Sequence, residues 1–288
     1  MPENIVYKGT PKEYFPKFTF QEKELVANGF IPNPEYRLSI ERKAQSFTAE
    51  KRAVLVSVLN DQYSNIGVSK AKGSIKLLSS ENTFTVTTGH QLNLFTGPMY
   101  YIYKILSVIN LTEQLTQKYP ENNFVPVFWM ATEDHDFEEI NHFYFREHRF
   151  EWQHQSQGPV GRLSIAELKN FFGQFSTHLG ADENSKAVIE IFQKAYIKQH
   201  NLADATRCLV HQLFGKDGLV VVDGDDAQLK RLFLPCLKNE LEEQLVFDEV
   251  SKTNKLLKIK MQKQQNLSKN QQIIFDIIHN SSEPLKAY

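Results

Sequence analysis

The run Thr83-Phe-Thr-Val-Thr-Thr88 is almost wholly β-branched or aromatic and is closed by Gly89, so it reads as a β-strand with a turn directly behind it. Pro98 stands where a helix needs no amide donor, and the apolar positions from Met99 to Lys118 form a broad helical face that Pro120 ends. Phe124-Val-Pro-Val-Phe-Trp-Met-Ala131 is apolar at both alternating sets of positions, the pattern of a strand covered on both faces of a parallel sheet. Strand, helix and strand make a βαβ unit. A third such strand, Gly218-Leu-Val-Val-Val-Asp223, follows a long helical stretch from about Ser185 to Phe214 and precedes an amphipathic helix that begins near Asp225 or Asp226. The pattern predicts an α/β fold built on a parallel sheet.

Outside these elements the pattern is weaker. The first forty residues mix charges with Tyr14, Phe15, Pro16, Phe18, Phe20, Pro32 and Pro34, and read as an extended arm. Phe47, Leu55, Val58 and Leu59 share one helical face, with Thr48 as a weak cap, so one or two helices are expected ahead of the first strand. The interval between Ala131 and Gly218 is longer than a crossover helix requires, and about Phe145 to Gly180 reads as an insertion on the ligand edge of the sheet. From Ser251 to Tyr288 there are seven lysines against Asp276 and Glu283, and seven of the eleven residues from Gln262 to Gln272 are Asn or Gln, a composition that buries little. The organisation expected is an arm with helices over 1–80, the first βαβ half over 81–144, a connecting insertion with helices over 145–215, a further core strand and helix over 216–250, and an aberrant tail over 251–288.

Composition narrows the function. With 33 basic and 34 acidic residues the net charge is −1, which argues against a general nucleic-acid binder, and 41% hydrophobic content is enough for a real core. The longest apolar run, Val125 to Ala131, falls far short of the ~20 residues of a membrane-spanning helix. The amino end carries no basic patch followed by an apolar stretch, so a cytoplasmic protein is expected. Cys208 and Cys236 alone support neither a disulfide framework nor a thiolate zinc site, and are expected as buried free thiols.

Ligands of open parallel sheets bind beyond the carboxyl ends of the strands. After the first strand, His90 and Gln91 leave the strand end, while Thr96 and Gly97 stand at the start of the next helix, where free amides favour an anion. The loop matches neither a phosphate-loop nor a dinucleotide glycine pattern, so spacing alone leaves His90 open between turn and site. After the second strand come Glu133, Asp134, His135 and Asp136, abutting an interior strand rather than lining a solvated helix. After the third comes Asp223, with Asp225 or Asp226 read as a helix cap. Tyr100, Tyr101 and Tyr103 read as packing and Lys104 as surface. One cleft is expected, lined by His90, Asp134, His135, Asp136 and Asp223. A metal-dependent hydrolase holding Zn²⁺ or Mn²⁺ on His90, His135 and two aspartates is one alternative, against which adjacent loop residues point apart; a non-catalytic remnant is another.

Four stretches, Thr87 to Lys104, Val125 to His142, Val160-Gly-Arg-Leu163 and Gly218 to Asp226, together resemble the bacillithiol-biosynthesis cysteine-adding enzyme family, BshC, over roughly residues 1 to 254. The resemblance implies a Rossmann-like core related to nucleotidylyltransferases, with connecting-peptide insertions and, in the full family architecture, a carboxy-terminal coiled-coil arm that mediates homodimerisation. It implies a ligase that joins L-cysteine to the amine of glucosaminyl-malate. Amide formation from a free carboxylate is uphill in water, so either the carboxylate is activated or an activated cysteine is delivered; the fold resemblance implies the former, with ATP or another nucleotide and Mg²⁺. Carried over by motif, Gly89, Gln91, Thr96 and Gly97, with His90, would hold phosphate oxygens. Asp134, Asp136 or Asp223, with Glu133, would grip the amine of cysteine or the magnesium ion, and His135 would deprotonate the sugar amine. Past about Asn254 the family's Asn-Pro-Arg-Glu-Ile-Asn-like segment and arm are not matched, so a shifted frame or early stop, with loss of dimerisation, is expected.

Overall fold

Residues 36–155, 157–244, 246–252 and 254 are described by a computed structural model, so the amino-terminal arm and most of the polar tail lie outside the described residues. Three helices precede the sheet: α1 (Arg37–Ser46), α2 (Ala49–Gln62) and α3 (Lys70–Leu77). Thr48 caps α2 by accepting the Lys51 amide and Ser69 caps α3 by accepting that of Lys72, because each side-chain oxygen satisfies a first-turn donor left over by the helix. The sheet is formed by β1 (Thr83–His90), β2 (Asn123–Met130) and, after an antiparallel hairpin of β3 (His142–Phe145) and β4 (His148–Glu151), by β5 (Val220–Asp223). Its order is β1-β2-β5, all parallel, and α4 (Met99–Lys118) is the crossover from β1 to β2. β1 runs one residue beyond the glycine expected to end it, because Gly89 keeps its place in the ladder opposite Trp129 and His90 opposite Met130.

The central strand explains its own sequence. Val125 and Val127 face α2 and α3, packing with Leu59, Tyr63, Ala71, Ile75, Val220 and Val222, whereas Phe128 and Met130 face the other way, into the cluster that includes Tyr101 and Ile105 of α4. Successive side chains of a strand point to opposite faces, so a strand with helices on both sides must be apolar throughout. The stretch from about Ser185 to Phe214, predicted as helical, is two helices, α6 (Glu183–Tyr196) and α7 (Leu202–Phe214), parted where Asn201 caps α7 through the Asp204 amide at 2.8 Å, and α5 (Leu168–Ser176) precedes them within the expected insertion. α8 (Ala227–Glu243) follows β5. The chain divides after Leu232 into a first unit and a second, residues 233–288. Cys236, expected inside, is exposed, since α8 buries none of its residues among those described. No helix among the described residues is long and apolar enough to cross a membrane.

β2 breaks its burial pattern once, at Trp129, which is 40% exposed. Its ring lies directly on Gly224, where an added Cβ would stand 2.1 Å from the indole Cζ2. Gly224→Ala should therefore expel the indole or shift the turn after β5, at about 1–3 kcal/mol of stability by overpacking. Chemical denaturation gives the loss, and tryptophan emission reports the ring, because the other tryptophan, Trp152, is buried.

Candidate active site at the carboxyl rim of the sheet

Register brings two strand ends together across the middle strand. His90 of β1 lies opposite Met130 of β2, and Met130 opposite Asp223 of β5, so the three parallel strands finish in a single row. The backbone continues the row: the Ala131 amide donates to the His90 carbonyl at 3.1 Å.

His90 is half-buried against Tyr100 and Tyr101 of α4, with ring centroids 5.2 Å from each. Its Nδ1 lies 3.2 Å from the Gln91 carbonyl oxygen, an acceptor, so Nδ1 carries the proton and Nε2 keeps its lone pair. Burial, with the Lys104 charge adding to it, holds the imidazole pKa below its ordinary 6.5 despite that hydrogen bond. His90 is thus a neutral imidazole at pH 7. Lys104, expected at the surface, reaches back to donate to the Gly89 carbonyl. Tyr100 and Tyr103, expected to pack, are exposed, and Tyr101 alone of the three is buried.

The loop from Gln91 to Gly97 is held in an unusual shape. Phe95, Thr96 and Gly97 all have positive φ (51°, 76° and 58°), and for a bulky residue such as Phe95 that is a strained conformation. The strain persists because Phe95 is over-determined: its amide donates to the Tyr196 hydroxyl at 3.1 Å, and its ring packs among Phe143, Phe171, Phe175 and Phe192 from the hairpin, α5 and α6. Phe95→Ala should cost about 3–5 kcal/mol and release this loop from the inserted elements, as denaturation and amide exchange at residues 91–97 would show. The expected free amide at Gly97 is absent, for it donates to the Leu94 carbonyl at 3.0 Å. What the loop does present is Asn93: its Oδ1 is buried without a hydrogen-bond partner among the described residues, and its Cβ packs against Gly97, where an added Cβ would come within 2.6 Å of that carbon. An orphaned acceptor requires an O–H or N–H donor, which a nucleotide ribose or an amine supplies.

The acidic run after β2 divides. Asp134 turns inward, accepting the His135 and Asp136 amides at 2.7 and 3.1 Å and the Gln91 side-chain amide at 3.0 Å. The Asp136 amide, then Gln91, hold its carboxyl below the usual carboxylate range. Glu133, His135 and Asp136 face solvent, contrary to the inward placement expected of the whole run, because the turn that Asp134 caps rotates its neighbours outward. The His135 side chain is 89% exposed. Among the described residues no three His, Cys, Asp or Glu side chains are grouped as metal ligands, so the constellation that the hydrolase alternative requires is not formed.

Asp223 is 5% exposed and fully engaged. Arg162 grips both its carboxylate oxygens, at 2.9 and 3.3 Å, and also reaches Asp225 at 2.9 Å. Thr132 donates to Asp223, and buried Arg207 approaches it at 3.7 Å. Gln62 brackets its backbone, accepting from the amide and donating to the carbonyl, each at 3.0 Å. Asp226 is the helix cap, accepting the Gln228 amide at 2.7 Å. Burial opposes the charges on Arg162 and Asp225, but their mutual attraction, with Asp223 and Lys230, outweighs it: the guanidinium pKa is raised and the Asp225 carboxyl lowered. Arg162 went unassigned from the sequence, although Val160-Gly-Arg-Leu163 marked its segment. The short turn at Val160–Arg162 reaches the rim because Gly161 lies against Thr132, where a Cβ would be 2.7 Å away.

The family model described as the bacillithiol biosynthesis BshC N-terminal Rossmann-like domain matches residues 3–287. The chain belongs to the BshC family. Among BshC relatives named as cysteine ligases, that of Flavobacterium johnsoniae is 50% identical over 82% of this chain and 45% of its own length. That of Christiangramia forsetii is 43% identical over 88% and 49%, and that of Staphylococcus aureus strain NCTC 8325 is 26% identical over 85% and 47%. The chain spans about half the length of the curated BshC relatives it matches. The parallel sheet with helices on both faces is the Rossmann-like core expected of the BshC domain.

Proposed function

We propose that this domain takes part in a cytoplasmic ligase reaction that joins L-cysteine to the amine of glucosaminyl-malate, giving bacillithiol. The observation that carries the reading is His90, a neutral imidazole of fixed tautomer, at the strand end in register with Asp223. Bound ATP with Mg²⁺ would supply the activation, linking the cysteine carboxylate to phosphate as a mixed anhydride with pyrophosphate as the group released. The amine nitrogen then bonds to the carbonyl carbon, the C–O bond to the phosphate breaks, and the nitrogen loses a proton. His90 Nε2 accepts that proton, a role that fits it better than solvent-facing His135 because a base needs a fixed direction as well as a suitable pKa. Gly89, Gln91, Thr96 and Gly97 line the nucleotide's approach, with Asn93 accepting from it. Glu133, exposed at the same rim, suits a magnesium ion that keeps most of its ligands from water and phosphate. Asp134 and Asp223 hold the loop and Arg162 in place rather than touching substrate. Homodimerisation belongs to the same proposal for the longer family protein.

A ligand that binds only the folded state raises stability by about 2.7 kcal/mol at a hundred times its Kd. ATP with Mg²⁺, L-cysteine and glucosaminyl-malate, added singly, should each raise the melting temperature of the chain. No shift with any of the three overturns the reading.

A further inference from the structure

Two adjoining depressions lie beside the loop that follows β2, of about 490 and 370 Å³, and they share Phe137, Glu138 and His154. Together they form one cleft from His135 and Asp136 to the β3–β4 hairpin, of a size suited to a small molecule. No role assigned above uses its hairpin half. Its walls are preorganised: the Trp152 amide donates to the Asn141 carbonyl at 2.7 Å, Phe137 meets Trp152 edge to face at 5.1 Å, and Glu167 accepts from Trp152 Nε1 at 3.3 Å while lying 3.0 Å from His154 Nδ1.

The lining has a definite chemistry. Glu138 and Glu151 offer acceptors, and Asn141 and Gln153 offer amides that both donate and accept, which is what sugar hydroxyls require. Arg149, 2.8 Å from Glu151, has further N–H donors for a carboxylate. At the other end Asp136 and Glu138 attract a cationic amine. Arg149, the one arginine or lysine among the lining residues, can meet a single carboxylate but not the clustered charges of a triphosphate, so the nucleotide belongs elsewhere. Resting on the ligase reading above, we infer that this cleft is the amino-sugar subsite, holding the sugar hydroxyls on Glu138, Asn141 and Gln153, the acid substituent on Arg149, and the amine at the His135–Asp136 end. That end adjoins the rim through the Gln91–Asp134 hydrogen bond at 3.0 Å, so the amine lies on the side of His90.

Calorimetric titration of the full chain with glucosaminyl-malate, in parallel with amide-exchange footprinting, tests this. The ligand is expected to protect residues 137–154, ATP is expected not to compete, and Glu138→Gln and Arg149→Met are each expected to weaken binding about tenfold or more, the worth of one charged hydrogen bond. Glu138 is exposed, so its variant folds and remains decisive should Arg149→Met fail to. Unchanged affinity in Glu138→Gln, or no binding by the wild-type chain, overturns the inference. Protection at 88–97 instead of 137–154 also overturns it while leaving the ligase reading standing.

Discussion

Asp223→Ala is expected to lower stability by about 3–5 kcal/mol, the cost of leaving a buried charge without its partner. Arg207, with its side chain 8% exposed, would keep only the more exposed Asp204, 2.8 Å away, and Arg162 would lose both contacts to its fork. Thr132 and the Asp225 amide would lose an acceptor as well. Equilibrium urea denaturation, followed by circular dichroism, measures the loss. Asp223→Asn should be milder, because the amide keeps one acceptor oxygen for Arg162 or Thr132. Combining Asp223→Leu with Arg207→Met should recover part of the loss, since an apolar pair carries no desolvated charge. A cost below 1 kcal/mol for Asp223→Ala would show that the two arginines do not depend on it.

His90→Ala should reduce amide formation by about 10²–10⁴-fold, the usual worth of a positioned general base. The suitable assay is single-turnover ligation by the chain extended with the part of the Flavobacterium johnsoniae relative that it does not cover. The pH profile supplies the sharper test. His90 is held neutral by burial, so its folded pKa lies below 6.5. Activity should persist as pH falls through 6.5 and decline only on passing the lowered pKa, and the alanine variant should lack that acid limb. Stability moves in the same sense: the unfolded chain takes up the proton first, so the contribution of His90 is present above 6.5 and lost as pH falls through its folded pKa. An acid limb unchanged in His90→Ala would assign the base elsewhere.

Much of the fold was legible because it rests on local periodicity. α4 runs from Met99 to Lys118 as its apolar face and flanking prolines predict, and β2 is buried on both sides as its composition requires. The site was legible only in outline. The same three loops meet at the strand ends, but the Glu133 to Asp136 run turns three of its four side chains to solvent, which depends on a turn capped by Asp134 rather than on residue type. Nothing in the sequence around Phe95 signals a positive φ held by rings from far along the chain.

From sequence alone follow the βαβ core, the family, and the loops that meet at the strand ends, because strand and helix periods and contiguous motifs are local properties of the chain. Tertiary structure alone decided which charges face one another. Asp223 meets Arg162 and Arg207 across long separations in sequence, and His90 becomes a neutral, oriented imidazole only where α4 buries it. Electrostatics depends on distance and burial in space, and neither quantity is written in residue spacing.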